Sequence, residues 1–267
     1  MKLSILTPTL DCAKTINDTL NSIIKLKKIS SLQIEHLIGD GGSSDDTTSI
    51  IEEYVYKNKD CHFYYLPKKN IPETLNFLIK NSKGDYVCVL NSDDFYDHKK
   101  FNLLLEKIKQ KTEVDIFCGN MVILSKTGSL IGRRESRINK LKNYMSINHQ
   151  TMISKMKNHI QVKFNENTPN NYDYVWTWEQ FIRGYKFFYF SDDVAFMRMG
   201  GISEKKEFTA AKEIFLYKLK KGYFLNCLSN FFMFCLKYFL KKILPNRIIF
   251  MLSRIYRKIV NSGDYVL

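Results

Sequence analysis

The chain opens on an apolar run at residues 3–7 that ends in the polar trio Thr7-Pro8-Thr9. The run reads as a buried strand. Over residues 13–27 the period changes, and Ile16, Leu20, Ile23 and Ile24 fall on one helical face. A second strand is predicted at 34–38. Asp45 or Asp46 can cap a helix over 47–57. A third strand follows at 62–66, and Pro72 suits the first turn of a helix to about residue 81. Residues 86–90 form a fourth strand, 99–110 a helix and 114–118 a fifth strand. This alternation predicts an α/β fold with a mostly parallel sheet covered on both faces.

After about Asn120 the rhythm changes. Residues 121–124 and 130–132 flank Lys126-Thr127-Gly128-Ser129, a hairpin turn. Residues 174–182 predict a helix, and 186–190 and 194–199 two strands. From Thr209 the chain is helical and basic.

Three polar clusters stand at predicted strand ends: Thr7-Pro8-Thr9, Asp40-Gly41-Gly42-Ser43 and Asn91-Ser92-Asp93-Asp94. In parallel sheets ligands bind beyond the carboxyl ends of the strands. A carboxylate there, such as Asp93, can hold a hard divalent cation, or it can cap the helix that begins near Asp97. For Asp94 the spacing favours the cap. Asp40 precedes two glycines, which allow close approach to a ligand, and it can accept a hydrogen bond from a base or ribose.

Composition narrows the classes. The chain is 45% apolar and 14% aromatic, enough for a sizeable core. Lys and Arg number 41 against 27 Asp and Glu, a net charge of +14. Such a balance suits nucleic acid, an anionic membrane or a phosphorylated substrate. The six cysteines form no CxxC pair and no zinc-like spacing, which predicts a reducing, cytoplasmic setting. No stretch has 18 uninterrupted apolar residues, and the N-terminus does not read as a signal peptide.

The stretches SILTPTLD, HLIGDGGSSDDT, GDYVCVLNSDD and FMRMGGIS occur in this order. Together, over residues 1–203, they resemble the family-2 inverting glycosyltransferases of bacterial surface-polysaccharide type. That family has the GT-A nucleotide-sugar-binding fold. The resemblance implies that Thr7, Pro8 and Leu10 line the nucleoside pocket and that Asp40 meets the base, usually uracil. Asn91 and Ser92 would face the nucleotide, and Asp93 would ligate Mn²⁺ or Mg²⁺ on the diphosphate. Asn91 stands where the family most often has an acid; an amide contributes no charge. That departure leaves open a second reading, a weakened member serving as a nucleotide-sugar-binding or scaffold subunit.

The resemblance also implies a base for the acceptor hydroxyl. Asp173 fits, with Glu179 as fallback, although the family commonly has Arg at that place. NHQTMIS resembles a family stretch near the donor sugar and acceptor, which brings in His149. Arg133, Arg134 and Arg198 could assist at the phosphates. Trp176 could stack on a sugar, with core packing as the default for both tryptophans.

The reading is therefore a GT-A-type domain over 1–208, divided into a nucleotide-binding part (1–119) and an acceptor and catalytic part (120–208). A basic amphipathic tail over 209–267 follows. In the tail, lysines and arginines interleave with aromatic residues, and Glu213 is the one acid between 212 and 258. That pattern predicts peripheral attachment to an anionic leaflet, on the cytoplasmic face of the inner membrane. Nucleic acid would explain the charge but not the apolar runs. The expected activity is metal-dependent transfer of a sugar, UDP-linked by preference, to a hydroxyl on a lipid-linked oligosaccharide.

Overall fold

The computed structural model describes residues 1–199 and 207–224, with Leu228, Phe231, Phe232, Phe234, Cys235, Leu236 and Phe239 beyond them. Motif residues 200–203 and most of the basic tail, from Lys237 through Lys241, Lys242, Arg247 and Arg254 to Lys258, lie outside the described residues.

The first half alternates strand and helix: β1 (Lys2–Thr9), α1 (Ile16–Ile29), β2 (Gln33–Asp40), α2 (Thr47–Lys57), β3 (Cys61–Tyr65), α3 (Ile71–Asn81) and β4 (Tyr86–Val89). The second half is less regular. It contains β5 (Phe95–Tyr96), α4 (His98–Gln110), β6 (Ile116–Leu124), β7 (Leu130–Arg134), β8 (Ile153–Lys155), α5 (Met156–Gln161), α6 (Tyr172–Ile182), β9 (Phe187–Arg198) and α7 (Glu207–Lys220). All strands join one mixed sheet of order β3-β2-β1-β4-β8-β6-β9-β5, with β7 beside β6. The β3-β2-β1-β4 part is parallel. β8 runs antiparallel between β4 and β6, while β6 and β9 are parallel to each other. Because β1 has β2 on one side and β4 on the other, the winding reverses there, and a crevice opens at their carboxyl ends.

Local chemistry explains the helix starts. Asn70 and Glu73 form a reciprocal capping box on α3, with Pro72 in the first turn. Asp97 accepts from the Lys99 and Lys100 amides, both at 3.1 Å, and caps α4. Asp94, predicted as that cap, is buried elsewhere. Asp45 takes the Thr47 amide at 3.0 Å.

The two strands predicted at 186–190 and 194–199 are one strand, β9. The run at 114–118 likewise continues into 121–124 as β6. Their pairing shifts register around Cys118, Asn120 and Met121. The polar residues 191–193 that look like a turn are accommodated at that bulge. Ser191 O takes the Asn120 amide at 2.7 Å, and Asp193 pairs with Arg133.

One apolar cluster gathers β1, β4, α1, α4 and β6; another gathers α3, α6 and the opposite face of the sheet. Helix α7 lies along α6. Glu213 accepts from the Asn170 amide at 3.2 Å and the Asn171 side chain at 3.1 Å. Tyr217 and Trp178 meet edge to face. The buried Lys218 donates to Tyr174 Oη at 2.7 Å and to the Lys142 carbonyl at 3.0 Å. Among the described residues no helix is long and apolar enough to cross a membrane.

Candidate active site

The crevice is walled first by the loops after β1 and β2. Asp40 is fully buried and accepts from the Gly42 and Ser43 amides, the Ser43 hydroxyl and Thr9 Oγ1. Its carboxylate thus shapes the loop, and Gly42 supplies the turn at φ +103. Asp11, at φ 46, accepts from the Ser44 amide at 2.8 Å and donates its own amide to Ser43 Oγ, which locks the two loops together. Thr7 and Pro8 are buried in β1, and Thr7 Oγ1 bonds His36 Nε2 at 2.9 Å. Leu10 is half exposed at the rim. His36 is buried and its pKa is pushed down to about 3 by desolvation, so it is a neutral prop under the strand end.

The turn after β4 is tied to α1. Thr15 Oγ1 donates to the Ser92 carbonyl at 3.1 Å and Thr19 Oγ1 to the Asp94 carbonyl at 2.6 Å. Asp94 is 1% exposed. Its Oδ2 accepts from Gln150 Nε2 at 3.0 Å, and its Oδ1 from the Arg198 amide at 3.3 Å. Burial, and then the charge of Asp93, push its carboxyl up to about 7. Asp93 is partly buried, and burial also raises its pKa, against the pull of His149 and Arg198.

Arg198, the last residue of β9, reaches the same turn. Its guanidinium donates to the Asp93 carbonyl at 3.2 Å and to Asp18 at 2.5 Å, and lies over the Phe95 ring.

His149 joins this turn to α6. Its Nδ1 lies 3.2 Å from Asp173 Oδ2, and its Nε2 lies 3.2 Å from Asn91 Nδ2. Asp173 Oδ1 accepts the Tyr174 amide at 2.8 Å. Burial would raise the Asp173 carboxyl, but the hydrogen bond and charge of His149, with that amide, hold it below the usual range.

Asp93, Arg198, His149 and Asp173 therefore come together around Asn91, drawn from four separate parts of the chain. Other candidates do not join them. Trp176 is 1% exposed, stacks on His159 at 4.2 Å between ring centres, and donates Nε1 to the Val162 carbonyl. Both ring faces are inside the core, so it is not a sugar platform; Trp178 is equally buried. Glu179 is held by Tyr217, Lys221 and Arg183 on the side of α6 that meets α7, which removes it as a fallback base. Arg133 pairs with Asp193 and Glu135, and Arg134 donates to the Met145 carbonyl. Both are engaged with those partners rather than with Asp93 or Asp173. The roles of Asp94 and Gln150 were not legible in the sequence. The one available signal was Gln150 standing next to His149.

Among the described residues no group of three or more His, Cys, Asp or Glu is placed to hold a metal by itself. The chemistry of the acids still fits a divalent ion. Two adjacent carboxylates are held above their usual range, chiefly by burial, and a cation would relieve that cost. Mg²⁺ takes one or two carboxylates and completes its shell with water and substrate phosphates, and Mn²⁺ suits the same oxygen ligands.

The sequence pattern that defines glycosyl transferase family 2 matches residues 4–244, and the chain belongs to that family. An uncharacterized glycosyltransferase of Mycoplasma genitalium is 35% identical over 119 residues, 43% of this chain and 39% of that one. The chondroitin synthase of Escherichia coli is 26% identical over 176 residues, 64% of this chain and 25% of that one. The chain thus spans well under half the length of these curated relatives. Among solved structures, S. aureus TarS 1–349 in complex with UDP-GlcNAc superposes with a TM-score of 0.66 at 18% identity, over 82% of this chain and 66% of that one. Mannosyltransferase PcManGT from Pyrobaculum calidifontis, in complex with GDP-Man and Mn²⁺, gives 0.60 at 11% identity, over 97% and 80%. These likenesses show a shared GT-A-type fold.

Proposed function

We propose that the chain is an inverting glycosyltransferase that moves a sugar from a nucleotide donor to a hydroxyl acceptor in surface-polysaccharide synthesis. The observation that carries this reading is the convergence of Asp173 and Asp93 on His149 beside Asn91. One acid suits the leaving-group side and the other the attacking side.

The loops locked by Asp40 and Asp11 would receive the nucleoside, with Leu10 at the rim. Asp93 would hold Mg²⁺ or Mn²⁺ on the diphosphate. When bound, the ion acts as a Lewis acid on the departing diphosphate. Arg198 adds a fixed positive charge at the same turn, where negative charge grows in the transition state. Asp173, kept ionised by His149, would take the acceptor proton from the opposite face of the sugar. A UDP-sugar is the favoured donor, supported by the UDP-GlcNAc complex of TarS. The chondroitin synthase relative supports a glycan acceptor, and the basic tail supports one presented at an anionic membrane.

Purified protein incubated with UDP-, GDP- and dTDP-sugars and Mn²⁺ or Mg²⁺ should hydrolyse one donor slowly. Asp93→Ala should abolish that turnover. Failure of the intact protein to bind or turn over any of them would remove the reading.

A further inference from the structure

Asn91 is an amide set between an acid and an imidazole, and those surroundings suit an amide. Its Nδ2 lies 3.2 Å from His149 Nε2 and 3.5 Å from Asp94 Oδ2. An amide nitrogen carries two protons, and both neighbours can accept: the Asp94 oxygen, and the imidazole nitrogen when its proton sits on Nδ1. The other ring nitrogen faces Asp173 Oδ2 at 3.2 Å, and that carboxylate needs a donor. Only one neutral ring form satisfies all three contacts, the one with hydrogen on Nδ1 and a lone pair on Nε2. The identity of the group facing one ring nitrogen fixes the proton on the other.

From this arrangement we infer that Asn91 is a positioning residue for the base: its amide donates to His149 Nε2 and so directs the His149 Nδ1–H onto Asp173. The inference rests on Asp173 being the base and adds a reason for an amide at position 91. A carboxylate at 91 has no proton to give. It would turn acceptor toward acceptor at His149 and set a second charge against Asp94. The ring would answer by carrying hydrogen on Nε2. In the neutral ring that leaves a lone pair on Nδ1 facing the Asp173 carboxylate, which then loses the bond that orients it. The amide thus sets one direction of donation, from Asn91 to His149 to Asp173. The Tyr174 amide fixes the far oxygen of Asp173 at 2.8 Å and leaves its remaining lone pairs for the acceptor proton.

The test is ¹⁵N NMR of the histidine rings in metal-free, full-length protein. There are five histidines, and His149→Gln identifies the signal. Wild type should show a protonated Nδ1 and an unprotonated Nε2. Asn91→Asp should move hydrogen onto Nε2 and lower kcat by about 10- to 100-fold, a part of the roughly 10²- to 10⁴-fold a general base contributes, while donor KM changes little. Asn91→Leu, an uncharged isostere, should lose the tautomer preference and a similar part of kcat, and it serves if the aspartate variant does not fold. An unchanged His149 tautomer in both variants would overturn the inference. So would Asn91→Asp with raised kcat and tighter Mn²⁺ binding, the result expected if position 91 served the metal. An Asp173→Asn protein that keeps its activity would instead remove the underlying assignment of the base.

Discussion

Helix α6 carries one acid in its first turn and another six residues later, and the two face different parts of the molecule. Asp173 looks toward His149 and the strand-end turn; Glu179 looks toward Tyr217 and Lys221 of the α7 segment. Six residues advance a helix by about 240° beyond a full turn, so the two side chains leave from different faces. Residue type and helix are shared, and only the neighbours differ. One face of α6 meets a crevice that ligands can enter. The other is sealed by α7, where a carboxylate between Lys221 and Arg183 serves as an anchor. An acid on α6 is therefore assigned by what packs against it.

The largest expected effect tests the site face. Asp173→Asn should lower the transfer rate by about 10³-fold with little change in melting temperature, as loss of a general base does. Steady-state kinetics at saturating donor would check it. An equal loss in Glu179→Gln would break the contrast. Next, Trp176→Ala should cost about 3–5 kcal/mol in a urea titration, the usual penalty for emptying a large core site. The folded fraction should keep its donor affinity; a selective loss of affinity would return Trp176 to the sugar site. On the braced face, Glu179→Ala should cost about 1–3 kcal/mol by leaving Tyr217 and the nearby cations without their acceptor. Its kcat per folded molecule should stay unchanged.

The last test concerns pH. Folding raises the Asp94 carboxyl to about 7, against about 4 in an unfolded chain. The folded protein therefore binds the extra proton, and stability declines as pH rises from about 4 toward 7, then levels off. Asp173 acts with the opposite sign. Its folded value is depressed, so its contribution is present above about pH 4 and lost below it. Melting temperatures of metal-free protein between pH 5 and 8 should fall, and millimolar Mn²⁺ should flatten the slope. A flat profile without metal would show that Asp94 does not carry its burial cost as described.

The first half of the fold was legible because each element there follows one clear period. β1, β2 and β4 are buried runs closed by polar clusters, and its helices have a single apolar face. The second half hid its strands. The polar Ser191-Asp192-Asp193 inside β9 resembles a turn until the facing Asn120 and Arg133 are known to satisfy it. Strands β5 and β8 are two and three residues long, too short to show a period. Asp93, Asp173, His149 and Arg198 could be picked out by motif. The place of Asp94 could not, because its donor Gln150 lies 56 residues away and nothing local distinguishes a buried acid from a helix cap. Trp176 misled for a similar reason: alternate tryptophans on a helix say nothing about which side the sheet will cover.

The turn after β4 has a consequence for how the chain is made. Strands β1 to β4 are complete by Val89, and domains begin to fold while synthesis continues. Asp94 then waits for Gln150, and both Asp94 and Asp18 wait for Arg198, the latter across 180 residues. Until Arg198 leaves the ribosome, the nascent sheet holds two neighbouring carboxylates without that arginine between them and α1. Strand β9 therefore closes the charge balance of a centre whose first wall was laid down more than a hundred residues earlier. A chain released before that strand would carry the nucleotide-side scaffold without the arginine.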